Sequence, residues 1–343
     1  MPSKAEKGNK TGEETLAYVQ ELIERKGRKA LDQARKMMLE NGARIECDAI
    51  RKALEYFANS YWGDLARPTL MSLACEAVGV KCEKITPIVV PIILLAGGMD
   101  IHDDIIDQSR TKDGRPTVFG KYGKDVALLT GDALLLRGTL NLHRALIQIQ
   151  PSKAKRVLDI IKETFFEVGD AEALEMRFRG RIDTRPEEYL HVVRKKAADV
   201  EAYAHIGALI GDGSKREVEA LRKYGRCLGM LAIIDDDLID LMDKEELENR
   251  LRNEVAPLPM LYATQNPEAK ISFDSVLLNK KLEKREIKRI IQMVADNGGF
   301  TRTDERIREL VKKSLANLQI VRHRRKELES LVYMMASTSN REK

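Results

Sequence analysis

From Glu14 onward, apolar side chains recur at three- and four-residue intervals, and that 3.6-residue period leaves few folds open. Alternating β-branched runs bounded by turn pairs are hard to find. Stretches such as "EETLAYVQELIERKGRKALDQARKMMLE" and "ITPIVVPIILLAGGMDIHDDIID" predict long helices. Pro or Gly stands at the breaks, where helix punctuation expects it, and no linker exceeds a few residues. The pattern predicts an all-α chain of ten or more helices, one domain over 13–343 behind a disordered tail at 1–12.

Composition removes several function classes. Against 59 Lys and Arg stand 54 Asp and Glu, and a net charge of +5 leaves no nucleic-acid footprint. No stretch reaches about 18 uninterrupted apolar residues, so no transmembrane helix is expected. The four cysteines form no CxxC pair, which fits a reduced, cytoplasmic protein.

The segment "DIHDDIID" sets four carboxylates directly after the apolar run. On a helix, Asp100, Asp103, Asp104 and Asp107 fall at i, i+3, i+4 and i+7 and share one face. Like charges at that spacing repel, so the face needs a counter-charge. A lone cluster of this kind reads equally well as a solvated acidic face. It is not alone, because "IIDDDLIDLMD" sets Asp236, Asp237, Asp240 and Asp243 at i, i+1, i+4 and i+7, sharing the Asp-Asp-x-x-Asp spacing of 103–107, again behind an apolar run. Two carboxylate sets without His or Cys partners suit a hard, oxygen-preferring cation, Mg²⁺ above all. Such an ion binds through a few carboxylates plus phosphate oxygens, so a diphosphate substrate is expected.

These segments resemble the trans-isoprenyl diphosphate synthase (polyprenyl synthetase) family over nearly the whole chain. "LARPTLMSLACEAVG" is similar to its early GGKRLRP helix, and "MDIHDDIIDQSRTKDGRPTVFGKYGKDVALLTGDALL" to its first aspartate-rich region. "AEALEM", "YLHVVRKKAA" and "YGRCLGMLAIIDDDLID" resemble the later motifs in order. The resemblance implies an isoprenoid synthase-type helical barrel, usually a homodimer, around a deep apolar pocket. It also implies an allylic prenyl diphosphate ionised with three Mg²⁺ ions. The catalytic carboxylates would be Asp103, Asp104, Asp107, Asp236, Asp237 and Asp240. Among them, Asp103, Asp104 and Asp107 would hold two ions, and Asp236 with Asp240 the third. Arg67, Lys112 and Lys196 would contact substrate diphosphate.

The chain departs from that pattern where isopentenyl diphosphate should bind. Of the basic GGKRLRP residues only Arg67 survives, and the Lys position is Asp64. The Arg pair after the first motif reads Lys112-Asp113, the Thr after Lys196 is Ala197, and the Gly-Lys-x-Thr segment is Glu254-Val255-Ala256-Pro257. Each lost charge-assisted hydrogen bond to phosphate is worth roughly 1.5–3 kcal/mol. Arg110, Lys121 and Arg226 are the candidates to substitute. The expectation is therefore an enzyme that ionises a prenyl diphosphate without isopentenyl diphosphate, in the manner of a terpene cyclase. The alternatives are a chain-elongating synthase with a rewired second site, and a non-catalytic subunit paired with an active synthase.

In the family, bulky residues four or five positions before the first motif close the pocket floor. Here Met99 and Gly98 stand there, preceded by Gly97 and Ala96. Small residues suggest room for a chain of C20 or longer; close helix packing is the competing reading. His102 lies between Ile101 and Asp103 and is expected to make a structural hydrogen bond. The basic "RHRRKE" at 322–327 is expected to be a solvated helix face.

Overall fold

The structure, a computed structural model, describes residues 4–40, 45–81, 83, 85–112, 114–277 and 282–336. The chain begins with α1 (Lys4–Leu39), α2 (Asp48–Tyr56), which runs on as a π turn, α3 (Ala66–Ala77) and α4 (Thr86–Ile106). A hairpin of β1 (Thr111–Lys112) and β2 (Arg115–Pro116) leads to α5 (Val118–Tyr122), α6 (Lys124–Leu146) and α7 (Pro151–Glu175). Next come α8 (Pro186–Lys196), α9 (Ala198–Ile210), α10 (Lys215–Met242) and α11 (Lys244–Asn253). The last elements are α12 (Leu258–Ala263), α13 (Pro267–Leu277), α14 (Lys284–Asp296), α15 (Gly299–Asn317) and α16 (Arg325–Met335). The fold is all-α, as the periodicity predicts. α1 begins at Lys4, inside the segment expected to be a tail.

Several long periodic runs divide into two helices. The run after Pro186 divides at Ala197 into α8 and α9. The second aspartate run ends at Asp243, whose carboxylate accepts from the backbone N–H groups of Glu245 and Glu246 and starts α11. Asp243 is thus a helix cap. Gly298, with φ of +72°, separates α14 from α15. The C-terminal run divides at Arg324, whose φ of +53° turns the chain into α16.

α4 is apolar on every side from Ile88 to Gly98 and buried almost throughout, so it must run through the core. Its long partner is α6, and the two backbones approach closely at glycines. A Cβ on Gly98 would stand 2.9 Å from both the Gly131 carbonyl and Leu135, and one on Gly138 would stand 2.9 Å from the Pro91 carbonyl. α10 is flanked by α9 and α15, and α3 packs on α9 and α1. This arrangement brings the C-terminal ends of α4 and α10, each bearing an aspartate set, to α11.

Candidate active site

Both aspartate segments occupy the last two turns of their helices, where the macrodipole already places partial negative charge. Carboxylates there raise the demand for cations beyond their mutual repulsion. Asp104 is buried, and Asp107, the C-cap of α4, nearly so. Burial first, then Asp103 and Asp100, push the Asp104 carboxyl up to about 6 against the pull of Lys112. Burial, Asp103 and Glu254 push Asp107 up as well.

Asp103, Asp107 and Glu172 each present an oxygen within 4.8 Å of the others. Among the described residues, this is the set of three carboxylates with that geometry. One oxygen of Glu172, Oε2, is buried without a hydrogen-bond partner, while Oε1 lies 3.2 Å from Lys196 Nζ. Burial and then Asp103 push this carboxyl up despite Lys196. Three hard oxygen donors, one orphaned, on two helices fit Mg²⁺.

On α10 the neighbouring aspartates divide. Asp236 is exposed, yet the protein around it and then Asp240, Asp235 and Asp237 push its carboxyl up to about 7. Asp237 is fully buried. Its Oδ1 accepts from the Tyr189 hydroxyl at 2.8 Å and from Arg250 Nη2 at 2.5 Å, and its Oδ2 accepts from the Leu258 N–H at 3.1 Å. Asp240 accepts from Arg250 Nη1 at 2.9 Å. Expected as a catalytic carboxylate, Asp237 instead joins α10 to α8, α11 and α12.

α11 connects the two halves. Asn249 Nδ2 donates to Glu254 Oε1 at 2.6 Å and lies 3.4 Å from the Asp107 carbonyl. Glu254 Oε2 in turn lies 3.5 Å from Arg250 Nε.

The three expected diphosphate ligands all meet carboxylates. Lys112, on β1, lies 3.2 Å from Asp104 and 4.0 Å from Asp103, with its side chain half exposed. Lys196 is paired with Glu175 and Glu172 at the end of α8. Arg67 donates to Asp100 at 2.8 and 2.9 Å and to Asp64 at 3.1 Å. Asp199, 3.9 Å away, completes an acidic ring around that one cation. Asp113 lies outside the described residues.

The proposed substitutes are engaged elsewhere. Arg226 binds Glu201 and Glu167, Arg110 lies over the Phe119 ring, and Lys121 lies 3.6 Å from the Tyr56 ring centroid. Arg324 and Arg325 pair with Glu76, Glu327 and Glu329.

Ala96, Gly97 and Gly98 are buried and Met99 half-buried. A Cβ on Gly97 would meet Phe57 and Trp62 at 3.2 and 3.3 Å. With Gly98 against α6, the two glycines serve close packing, so they do not carry the expectation of open volume for a long chain. His102 lies over Gly131, with Nε2 3.4 Å from the Leu128 carbonyl and from Asp132, as its position predicts.

Sequence reasoning missed Glu172 and Arg250. "AEALEM" marks the place of Glu172, and its i,i+3 acid pair on one face was the available signal. Arg250 stands in a charged helix with nothing in the local pattern to set it apart.

Residues 47–294, most of the chain, match the polyprenyl synthetase family. The chain belongs to that family. A geranylgeranyl diphosphate synthase of Methanosarcina mazei is 32% identical over 206 residues, covering 60% of this chain and 63% of that protein, less than two thirds of its length. A short chain isoprenyl diphosphate synthase of Methanocaldococcus jannaschii is 31% identical over 241 residues, covering 68% of this chain and 72% of that protein. The crystal structure of geranylgeranyl pyrophosphate synthetase from Pyrococcus horikoshii superposes with a TM-score of 0.80 at 26% identity. It covers 92% of this chain and 98% of that one. The polyprenyl synthetase scaffold thus extends over nearly all of this chain. No helix among the described residues is long and apolar enough to cross a membrane.

Proposed function

We propose that this chain is a Mg²⁺-dependent, chain-elongating prenyl diphosphate synthase of the geranylgeranyl type. The observation that carries the reading is the convergence of Asp103, Asp107 and Glu172 at the negative end of α4, in a family whose named relatives are prenyl diphosphate synthases. A cyclase-like reaction draws no support from those relatives.

Asp103, Asp107 and Glu172, with Asp104 beside them and Asp236 on α10, would hold Mg²⁺, which would neutralise charge developing on the departing diphosphate. Lys112 and Lys196 stand within reach of the same carboxylates and would turn from them to the substrate's phosphate oxygens. The allylic C–O bond breaks with its electron pair leaving on diphosphate. The double bond of isopentenyl diphosphate then adds to the allylic cation, and a proton is lost. Arg67 is the retained basic group for that second substrate. Its bonds to Asp64 and Asp100 must open on binding, so weak affinity for isopentenyl diphosphate follows.

Exposed apolar side chains on α6 and α7, among them Leu136 at 62% and Phe166 at 72% exposure, support a homodimer through that face. We read the protein as cytoplasmic, with residues 13–343 as one domain.

The test incubates the purified protein with Mg²⁺ and C10 to C20 allylic diphosphates, with and without isopentenyl diphosphate. Extended prenyl diphosphates are expected. Diphosphate release with no extension would return the reading to ionisation alone, and activity appearing only on addition of an active synthase would make the chain a partner subunit.

A further inference from the structure

Arg250 makes more polar contacts than any other cation around the aspartate segments. Nε donates to the Val255 carbonyl at 3.0 Å, Nη1 to Asp240 at 2.9 Å, and Nη2 to Asp237 at 2.5 Å and to the Tyr189 hydroxyl at 3.1 Å. Glu254 adds an ion pair at 3.5 Å. The residue is buried, at 7% exposure, and its partners lie on α10, on α8 and in the segment between α11 and α12.

The cations near the first segment are different. Lys112 keeps a half-exposed side chain on a two-residue strand, with one contact within hydrogen-bond distance of Asp104. It has room to swing away when an ion or a phosphate arrives. Arg250 has none, because leaving Asp240 would also break its fork to Asp237 and Tyr189. A guanidinium held this way is a permanent unit charge in a fixed orientation. The carboxylates also divide. Asp103, Asp107 and Glu172 converge on one point, whereas Asp237 and Asp240 both point at Arg250.

We propose that Arg250 takes the place of the third metal ion: Asp237 and Asp240 of the second aspartate segment are neutralised by the arginine, and the site holds two divalent ions with the substrate's diphosphate. Glu172 supplies the third carboxylate to those two ions, and Asp240 supplies none. Arg250 is a positioning residue in this scheme, acting through Asp240 and Asp237. The inference rests on the proposed binding of an allylic diphosphate at this site.

The experiment counts ions. Mn²⁺ replaces Mg²⁺, and free Mn²⁺ is measured by electron paramagnetic resonance while the full-length protein is saturated with an unreactive allylic thiolodiphosphate. Two bound ions per chain are expected for the wild type, three for Arg250→Gln, and two again for Arg250→Lys, which keeps the charge. Three ions in the wild type overturn the proposal and leave the assigned substrate class standing. Failure to bind the thiolodiphosphate at any Mn²⁺ concentration overturns both. Should Arg250→Gln not fold, Asp240→Asn decides: an unchanged count of two is expected, and a fall to one shows that Asp240 is a metal ligand.

Discussion

Arg67 grips Asp100 through two hydrogen bonds of 2.8 and 2.9 Å, while Asp64 takes a third at 3.1 Å. The one basic residue retained in the region proposed for the second substrate is thereby neutralised from within the protein. Asp64→Lys removes one of those partners and adds a cation. A charge-assisted bond to phosphate is worth roughly 1.5–3 kcal/mol, so KM for isopentenyl diphosphate is expected to fall about tenfold or more. The KM of the allylic substrate should hold steady. Initial rates at saturating allylic diphosphate measure this, and an unchanged or higher KM removes Arg67 from the second site.

Asp236 and Asp237 are adjacent in sequence and differ in surroundings, the first exposed and the second buried against Arg250 and Tyr189. Asp237→Ala leaves Arg250 with Asp240 and Glu254 but takes the buried acceptor from Arg250 Nη2, the Tyr189 hydroxyl and the Leu258 N–H, and buried donors left unsatisfied cost about 1–3 kcal/mol each. A drop of several degrees in Tm is expected. Asp236→Asn should leave Tm within a degree or two of wild type while reducing diphosphate release by about a thousandfold, on the order of 4 kcal/mol of transition-state stabilisation. Thermal denaturation and single-turnover assays of both variants check the division; equal Tm losses would erase it.

Gly98 tests what the small residues before the first motif are for. An added methyl would stand 2.9 Å from the Gly131 carbonyl and from Leu135. Overpacking of this type costs about 1–3 kcal/mol, so Gly98→Ala should lower Tm. Product chain length should not change, since the methyl enters the α4–α6 contact. Shortened products with an unaltered Tm would restore Gly98 to the pocket floor.

The exposed face of α6 and α7 makes its own prediction. Leu136 and Phe166 are 62% and 72% exposed, large apolar side chains of the kind that a partner subunit would cover. Leu136→Glu with Phe166→Glu should convert a dimer to a monomer in sedimentation velocity. A wild type that sediments as a monomer refutes the homodimer.

The fold was legible because its signal is repeated. The 3.6 period recurs in every long segment, and α4 announces its buried position by being apolar on all sides. The two aspartate sets were legible for a related reason, since both carry the Asp-Asp-x-x-Asp spacing, in which residues three and four apart share a helix face. What could not be read was which oxygen faces which cation. Asp236 and Asp237 are chemically identical in the sequence, and only the approach of Arg250, Tyr189 and Leu258 from three other elements separates them. Glu172 likewise becomes a candidate ligand only when α7 is laid against the end of α4. The helix break at Asp243 was hidden inside unbroken periodicity, where capping overrode the pattern, and the break at Ala197 comes with no side-chain cap to announce it.

The crowded carboxylates predict how stability responds to pH and metal together. Asp104 titrates near 6, and Asp236 and Glu246 near 7, each above its value in an unfolded chain, because burial and neighbouring acids disfavour the charged form. A group that holds its proton more tightly when folded contributes stability at low pH and loses it as pH rises through the folded value. Without Mg²⁺ these three groups therefore lower Tm as pH rises from about 5 to about 7.5. Asp199, also near 6 beside Arg67, acts in the same direction. His205 opposes them: burial and then Arg156 and Arg222 hold it down near 4, so it withdraws stability as pH falls below its unfolded value. Mg²⁺ binds the ionised carboxylates and competes with their protons. The gain in Tm on adding Mg²⁺ should therefore grow from about pH 5.5 to about pH 7.5, and it should be largely lost in Asp103→Asn. Differential scanning calorimetry across that range checks it, and a Mg²⁺ effect independent of pH would show that these carboxylates are not where the ion binds.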